Sequence, residues 1–132
     1  MISYNTQTRK GFGRGKTLGF PTVNMDIPKE LTEARRGIYA ARITIGDVTH
    51  NAALYFGPPI TFGVTTEQLE AYLIDTAVSE IEPGTALSCT HVAFIRDVQT
   101  FPDSQSLIAQ MHDDVASVRR ALTSTQHQQT QI

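Results

Sequence analysis

Short apolar and β-branched runs separated by turn residues fill residues 38–95, and apolar positions take up a helical spacing after about residue 100. Residues 38–45 are rich in β-branched and aromatic side chains and predict a strand. Gly46-Asp47 suits a two-residue hairpin turn into a second strand over 48–56, which Gly57-Pro58-Pro59 then breaks. Residues 69–74 read as a short apolar strand, and 87–95 as another after the Pro83-Gly84 turn. Beyond them Leu107, Ile108, Met111, Val115, Val118 and Leu122 recur at helical spacing, with Asp103 or Ser104 placed to cap the helix after Pro102. That stripe is read as core packing, because amphipathic helices bury such a face. Residues 123–132 are polar, lack a core pattern and are expected to form a flexible tail. Short strands separated by turns, closed by one helix, predict a mainly β fold built on an antiparallel barrel.

Composition narrows the classes. A chain of 132 residues suits one domain with one core. A net charge of −2 and a pI near 6.0 argue against bulk binding of nucleic acid or anionic membrane. The single cysteine, Cys89, cannot form an internal disulfide and is read as a small core residue. No apolar run approaches the roughly 20 residues of a membrane span, and the start carries no signal-peptide pattern. A cytoplasmic monomer without a nucleic-acid or membrane partner is the expectation.

The candidate chemistry is concentrated in residues 10–24, KGFGRGKTLGFPTVN. Gly11, Gly13 and Gly15 allow tight turns and close backbone approach to a ligand, and Arg14 and Lys16 add positive charge. Gly15-Lys16-Thr17 imitates the end of a P-loop. That motif needs a glycine where Lys10 stands, however, and Gly19 and Pro21 block the helix that should follow. The G-x-G-x-G spacing fails the dinucleotide fingerprint as well. Phe20 precedes proline and is pushed toward extended backbone, so Thr22 and Asn24 share one face of the segment that follows. A hydroxyl and an amide oxygen side by side suit Mg²⁺, and they equally suit a turn after proline; spacing alone leaves both readings open.

Glu70 interrupts the apolar run 69–74, where an unpaired carboxylate is expensive to bury. Partial desolvation would make it a better base; a solvent-facing strand glutamate is the plainer alternative. His50, His91, His112 and His127 are dispersed without metal-ligand spacing. Asp113 and Asp114 are read as a solvated helix face. Arg96, closing an apolar strand, is either an ion-pair partner or a ligand contact.

Residues 11–24 resemble the nucleotide-binding segment of riboflavin kinases, a glycine-rich loop followed by G-[FI]-P-T-x-N. Residues 36–40, 69–75 and 95–114 resemble three further motifs of that family in the same order, so the resemblance covers about residues 8–122. It implies a small closed, Greek-key-like barrel of about six strands with a C-terminal helix over 1–122. It also implies ATP- and Mg²⁺-dependent phosphorylation of the riboflavin 5′-hydroxyl to FMN. Gly11, Gly13, Gly15, Lys16, Thr22 and Asn24 would hold ATP, with Thr22 and Asn24 also serving the metal. Glu70 would be the catalytic base, and Thr61, Phe62 and Arg96 would lie toward the flavin. A non-catalytic flavin- or nucleotide-binding relative is the alternative. Two departures lie on the flavin side. The family's N-x-G-x-x-P-T-[FY] stretch is altered at residues 54–62, where the asparagine is missing, and no tyrosine follows Asp75 in the next turn.

Overall fold

The structure, a computed structural model, describes residues 1–10, 19–59, 63, 65–74, 76 and 81–130, with the backbone alone for 125–130. Six strands form the body: β1 (Ile2–Arg9), β2 (Val23–Met25), β3 (Gly37–Ile45), β4 (Val48–Gly57), β5 (Gln68–Leu73) and β6 (Ala86–Asp97). They close into a barrel in the order β1-β2-β5-β4-β3-β6, and every neighbouring pair is antiparallel. Closure gives each strand two neighbours. Among the described residues, a turn of 3-10 helix, Lys29–Leu31, buries Leu31 in the barrel core, and a helix, α1 (Ser104–Thr130), packs on the outer wall.

Alternation decides which residues go inward. On β5, Leu69, Ala71 and Leu73 are buried while Gln68, Glu70 and Tyr72 face out half-buried. On β4, Ala52, Leu54 and Phe56 point in. The hairpin from β3 to β4 turns at Gly46-Asp47, as its sequence predicts, with Ile45 facing Val48 and Gly46 at φ +60°. β3 is buried on both faces, because Tyr39, Ala41 and Ile43 line the interior while Ala40 meets α1. The helix's Val115, Val118 and Leu122 pack in one cluster with Ala40, Ala53, Ala93 and the larger Tyr72, Ile74, Val92 and Ile95 of the wall. The register of β6 slips twice against β3, so Val92, Ala93 and Ile95 all reach the helix side. Gly37 stands beside the second slip, where any Cβ would collide with the Arg96 carbonyl oxygen.

Three sequence expectations are revised. β1 carries no clear apolar alternation and is missed by pattern; it is held by pairing to β6 and β2 on its two sides. The helical stripe is only half core: Val118 and Leu122 are fully buried, whereas Leu107, Ile108 and Met111 stay partly exposed. The helical backbone also runs on to Thr130, through the segment expected as a polar tail. No glycine or proline interrupts residues 104–130, and extending a formed helix costs far less than nucleating one. The helix starts as expected, with the Ser106 N–H donating to Asp103 Oδ1 at 2.7 Å.

Inside the barrel, His91 is 3% exposed between Tyr4 and Tyr39, sharing a 2.6 Å hydrogen bond between its Nε2 and the Tyr4 hydroxyl. Its Nδ1 has no hydrogen-bond partner among the described residues. Burial therefore penalises the imidazolium and pulls the His91 pKa down to about 4. A histidine whose folded pKa lies below its unfolded value binds more protons when unfolded, so its contribution to stability is complete above about pH 6.5 and is lost as pH falls toward 4. Urea unfolding at pH 7 and pH 4.5 is expected to differ by up to about 3 kcal/mol from this group. His91→Gln should flatten that part of the pH profile, and an unchanged slope in the variant would assign the acid sensitivity elsewhere.

Candidate active site

On the outer wall the strand register lines up four polar residues in a row, interrupted by the buried Ile38. Asn24 on β2 faces Glu70 on β5, Glu70 faces Tyr55 on β4, Tyr55 faces Ile38 on β3, and Ile38 faces Arg96 on β6. At about 4.8 Å per strand step, the row spans roughly 19 Å from Asn24 to Arg96. No residue in it is more than half-exposed.

Thr22 and Asn24 share a face, as the extended segment after Pro21 dictates, because Val23 and Met25 between and beyond them are buried at 7% and 1%. The Thr22 hydroxyl donates toward Glu70 Oε2 at 3.4 Å, the far edge of hydrogen-bonding distance. Thr22 and Glu70, 48 positions apart in sequence, thus meet on the barrel wall, with Asn24 directly opposite Glu70 in register. The turn-residue reading of Thr22 and Asn24 does not explain this convergence on a carboxylate.

Tyr55 stands at the centre of the row. Burial pushes its phenol up to about 12, and the neighbouring Glu70 carboxylate pushes in the same direction while Arg96 opposes it. Its hydroxyl donates to the Pro58 carbonyl oxygen and so ties the row to the turn that follows β4. Beyond it, Arg96 makes a two-pronged ion pair with Asp114 of α1, Nε to Oδ1 and Nη2 to Oδ2 both at 2.8 Å. The Gln110 amide also donates to Asp114 Oδ1, at 3.1 Å. Asp114 is only 3% exposed, which corrects its reading as part of a solvated face; Asp113 beside it is exposed as expected. Arg96 is thus an ion-pair partner of Asp114, as a buried carboxylate requires.

Among the described residues no group of three or more His, Cys, Asp or Glu could hold a metal ion. A magnesium ion that keeps waters and substrate phosphates in its shell needs no such cage, and the neutral oxygens of Thr22 and Asn24 beside Glu70 fit that sparse donor set. Gly11, Gly13, Gly15, Lys16, Thr61 and Phe62, expected to serve ATP and flavin, lie outside the described residues. Tyr55 in the row, and Asp114 against Arg96, are the placements that pattern reading missed. The first is a strand tyrosine of unremarked spacing, while the second is flagged in sequence by the family resemblance over 95–114 and by a helix periodicity that puts it near the buried stripe. Cys89 is buried, as expected of a core residue. No described helix is long and apolar enough to cross a membrane.

Comparison with known proteins gives a consistent picture. The family model described as riboflavin kinase, or flavokinase, matches residues 1–122. The RNA-binding riboflavin kinase RibR of Bacillus subtilis is 30% identical over 112 residues, covering 84% of this chain and 47% of that protein. Among solved structures, a riboflavin kinase from Trypanosoma brucei superposes with TM-score 0.66 at 18% identity, over 97% of this chain and 85% of the other. A protein titled macrolide-efflux protein from Streptococcus pneumoniae superposes with TM-score 0.76 at 23% identity, over 89% and 38%. At these identities both structures speak to the fold: a closed six-strand antiparallel barrel with a C-terminal helix. The chain spans from 10% to 47% of the length of the curated relatives it matches.

Proposed function

Because the chain belongs to the riboflavin kinase family, we propose that it transfers the γ-phosphoryl group of ATP to the ribityl 5′-hydroxyl of riboflavin, giving FMN and ADP. The observation that carries this reading is the convergence of Thr22, Asn24 and Glu70 on the barrel wall, with the Thr22 hydroxyl 3.4 Å from the carboxylate. Phosphoryl transfer needs little covalent chemistry from the protein; positioning and charge neutralisation supply most of the acceleration. The site contains the parts for both.

Thr22 and Asn24 would hold Mg²⁺ together with the nucleotide phosphates, and the glycine loop with Lys16 would cradle the same phosphates through backbone N–H groups and one cation. Bound there, the ion neutralises charge on the transferring group. Glu70 orients the acceptor hydroxyl and takes its proton as the oxygen attacks phosphorus. Its place one strand from Asn24 brings base and phosphate to the same few ångströms. The acceptor would then extend along the row toward Tyr55 and Arg96, with Thr61 and Phe62 on its flavin side. A soluble cytoplasmic monomer is the proposed state.

Formation of FMN from riboflavin, ATP and Mg²⁺, separated by chromatography, tests the assignment; absence of turnover across several divalent metals and nucleotides would refute it. Thr22→Ala and Asn24→Ala are each expected to weaken ADP-Mg²⁺ binding and lower turnover together by about tenfold, the worth of one lost charge-assisted contact. Isothermal titration beside the kinetic assay checks this. Intact nucleotide affinity in both variants would remove these side chains from the metal.

A further inference from the structure

Three rings, those of Phe20, Tyr72 and His112, meet beside the polar row. Phe20 precedes Thr22 by two, Tyr72 follows Glu70 by two, and His112 precedes Asp114 by two. The Phe20 ring meets Tyr72 edge-on, centroids 5.3 Å apart at 71°, and meets His112 in the same fashion at 4.9 Å and 70°. Phe20 is 6% exposed although it lies in no strand or helix, and its two ring contacts set it against β5 and α1. Pro21 follows directly and limits the backbone freedom between the ring and the Thr22 hydroxyl.

We propose that the Phe20–Tyr72–His112 cluster is the positioning device of the nucleotide side of the site. Clamping Phe20 between strand and helix holds Thr22 against Glu70. The inference rests on the kinase reading and deepens it, because it assigns a role to a helix residue that touches none of the reacting groups. Geometry favours positioning over plain core packing. His112 itself is exposed and sets its ring against the residue that leads into Pro21 and Thr22. Neither titration nor charge is invoked: an edge-to-face ring contact needs only the shape and quadrupole of the imidazole.

The test uses the whole chain and two separate readouts. His112→Ala removes an exposed ring and is expected to leave the thermal midpoint within a few degrees. It should raise KM for ATP-Mg²⁺ by about threefold to tenfold, the range that one or two edge-to-face aromatic pairs support. KM for riboflavin should stay within about twofold, since Phe20 leads into Thr22, which is assigned to the metal and nucleotide, and not into Tyr55 or Arg96. Phe20→Leu, which keeps apolar volume and loses the ring, should reproduce the split, and His112→Phe should restore the wild-type KM. Equal shifts in both KM values, or a lowered midpoint with both KM values unchanged, would overturn the positioning role while leaving the kinase reading intact. A wild-type protein that retains no ADP-Mg²⁺ in titration and forms no FMN would overturn that reading, and the inference with it.

Discussion

Glu70→Gln is expected to lower kcat for FMN formation by about 10²–10⁴-fold, the range associated with loss of a positioned general base. The substitution keeps the shape of the side chain and its place opposite Asn24 and Tyr55, but an amide oxygen cannot take the proton of the attacking hydroxyl. Nucleotide binding should survive nearly intact, because the phosphates and metal are assigned to the loop, Thr22 and Asn24. Measured together, kcat and the affinity for ADP-Mg²⁺ separate base catalysis from metal binding. A variant that keeps its kcat and loses nucleotide affinity would show that the carboxylate serves the metal, and the roles of Glu70 and Asn24 would have to be exchanged.

Asp114→Ala carries the largest expected effect on stability, a loss of about 3–5 kcal/mol. The carboxylate is almost fully enclosed and accepts from both prongs of Arg96 and from Gln110. Removing it leaves the Arg96 guanidinium, whose side chain is 15% exposed, without its counter-charge. Against a total stability of roughly 5–15 kcal/mol for such a domain, that loss is a large fraction of the whole. The double variant Arg96→Met with Asp114→Leu should recover much of it, since replacing both members of a buried pair by apolar groups is often neutral. Urea denaturation of the two variants distinguishes the cases; equal losses in both would mean that packing of the helix, rather than an orphaned charge, sets the cost.

Much of the strand framework could be read without coordinates. Four of the six strands, the Gly46-Asp47 hairpin and the start of α1 follow from β-branched runs, breakers and a capping aspartate, all of which act within a few residues. β1 could not be read that way. Its polar sequence has no strong local preference, and its partners are β6, more than 75 residues away at closest register, and β2. Asp114 was misjudged for a related reason. Helical periodicity places it beside the buried stripe, but only the slipped register of β6 brings Arg96 under the helix to receive it.

The pairing of Thr22 with Asn24 was decided locally: proline ahead of an extended segment puts alternate side chains on one face whatever surrounds them. The sequence by itself also settled that Glu70 sits on a strand among apolar neighbours, because alternation is a property of the strand. What only the tertiary structure decided is the company these residues keep. Barrel closure in the order β1-β2-β5-β4-β3-β6 sets β2 beside β5 across more than forty intervening residues. That pairing brings the threonine hydroxyl to the glutamate and lines up Tyr55 and Arg96 beyond it. Contacts between distant segments depend on which strands hydrogen-bond and in what register, and the global burial of the core selects that register where no local preference can.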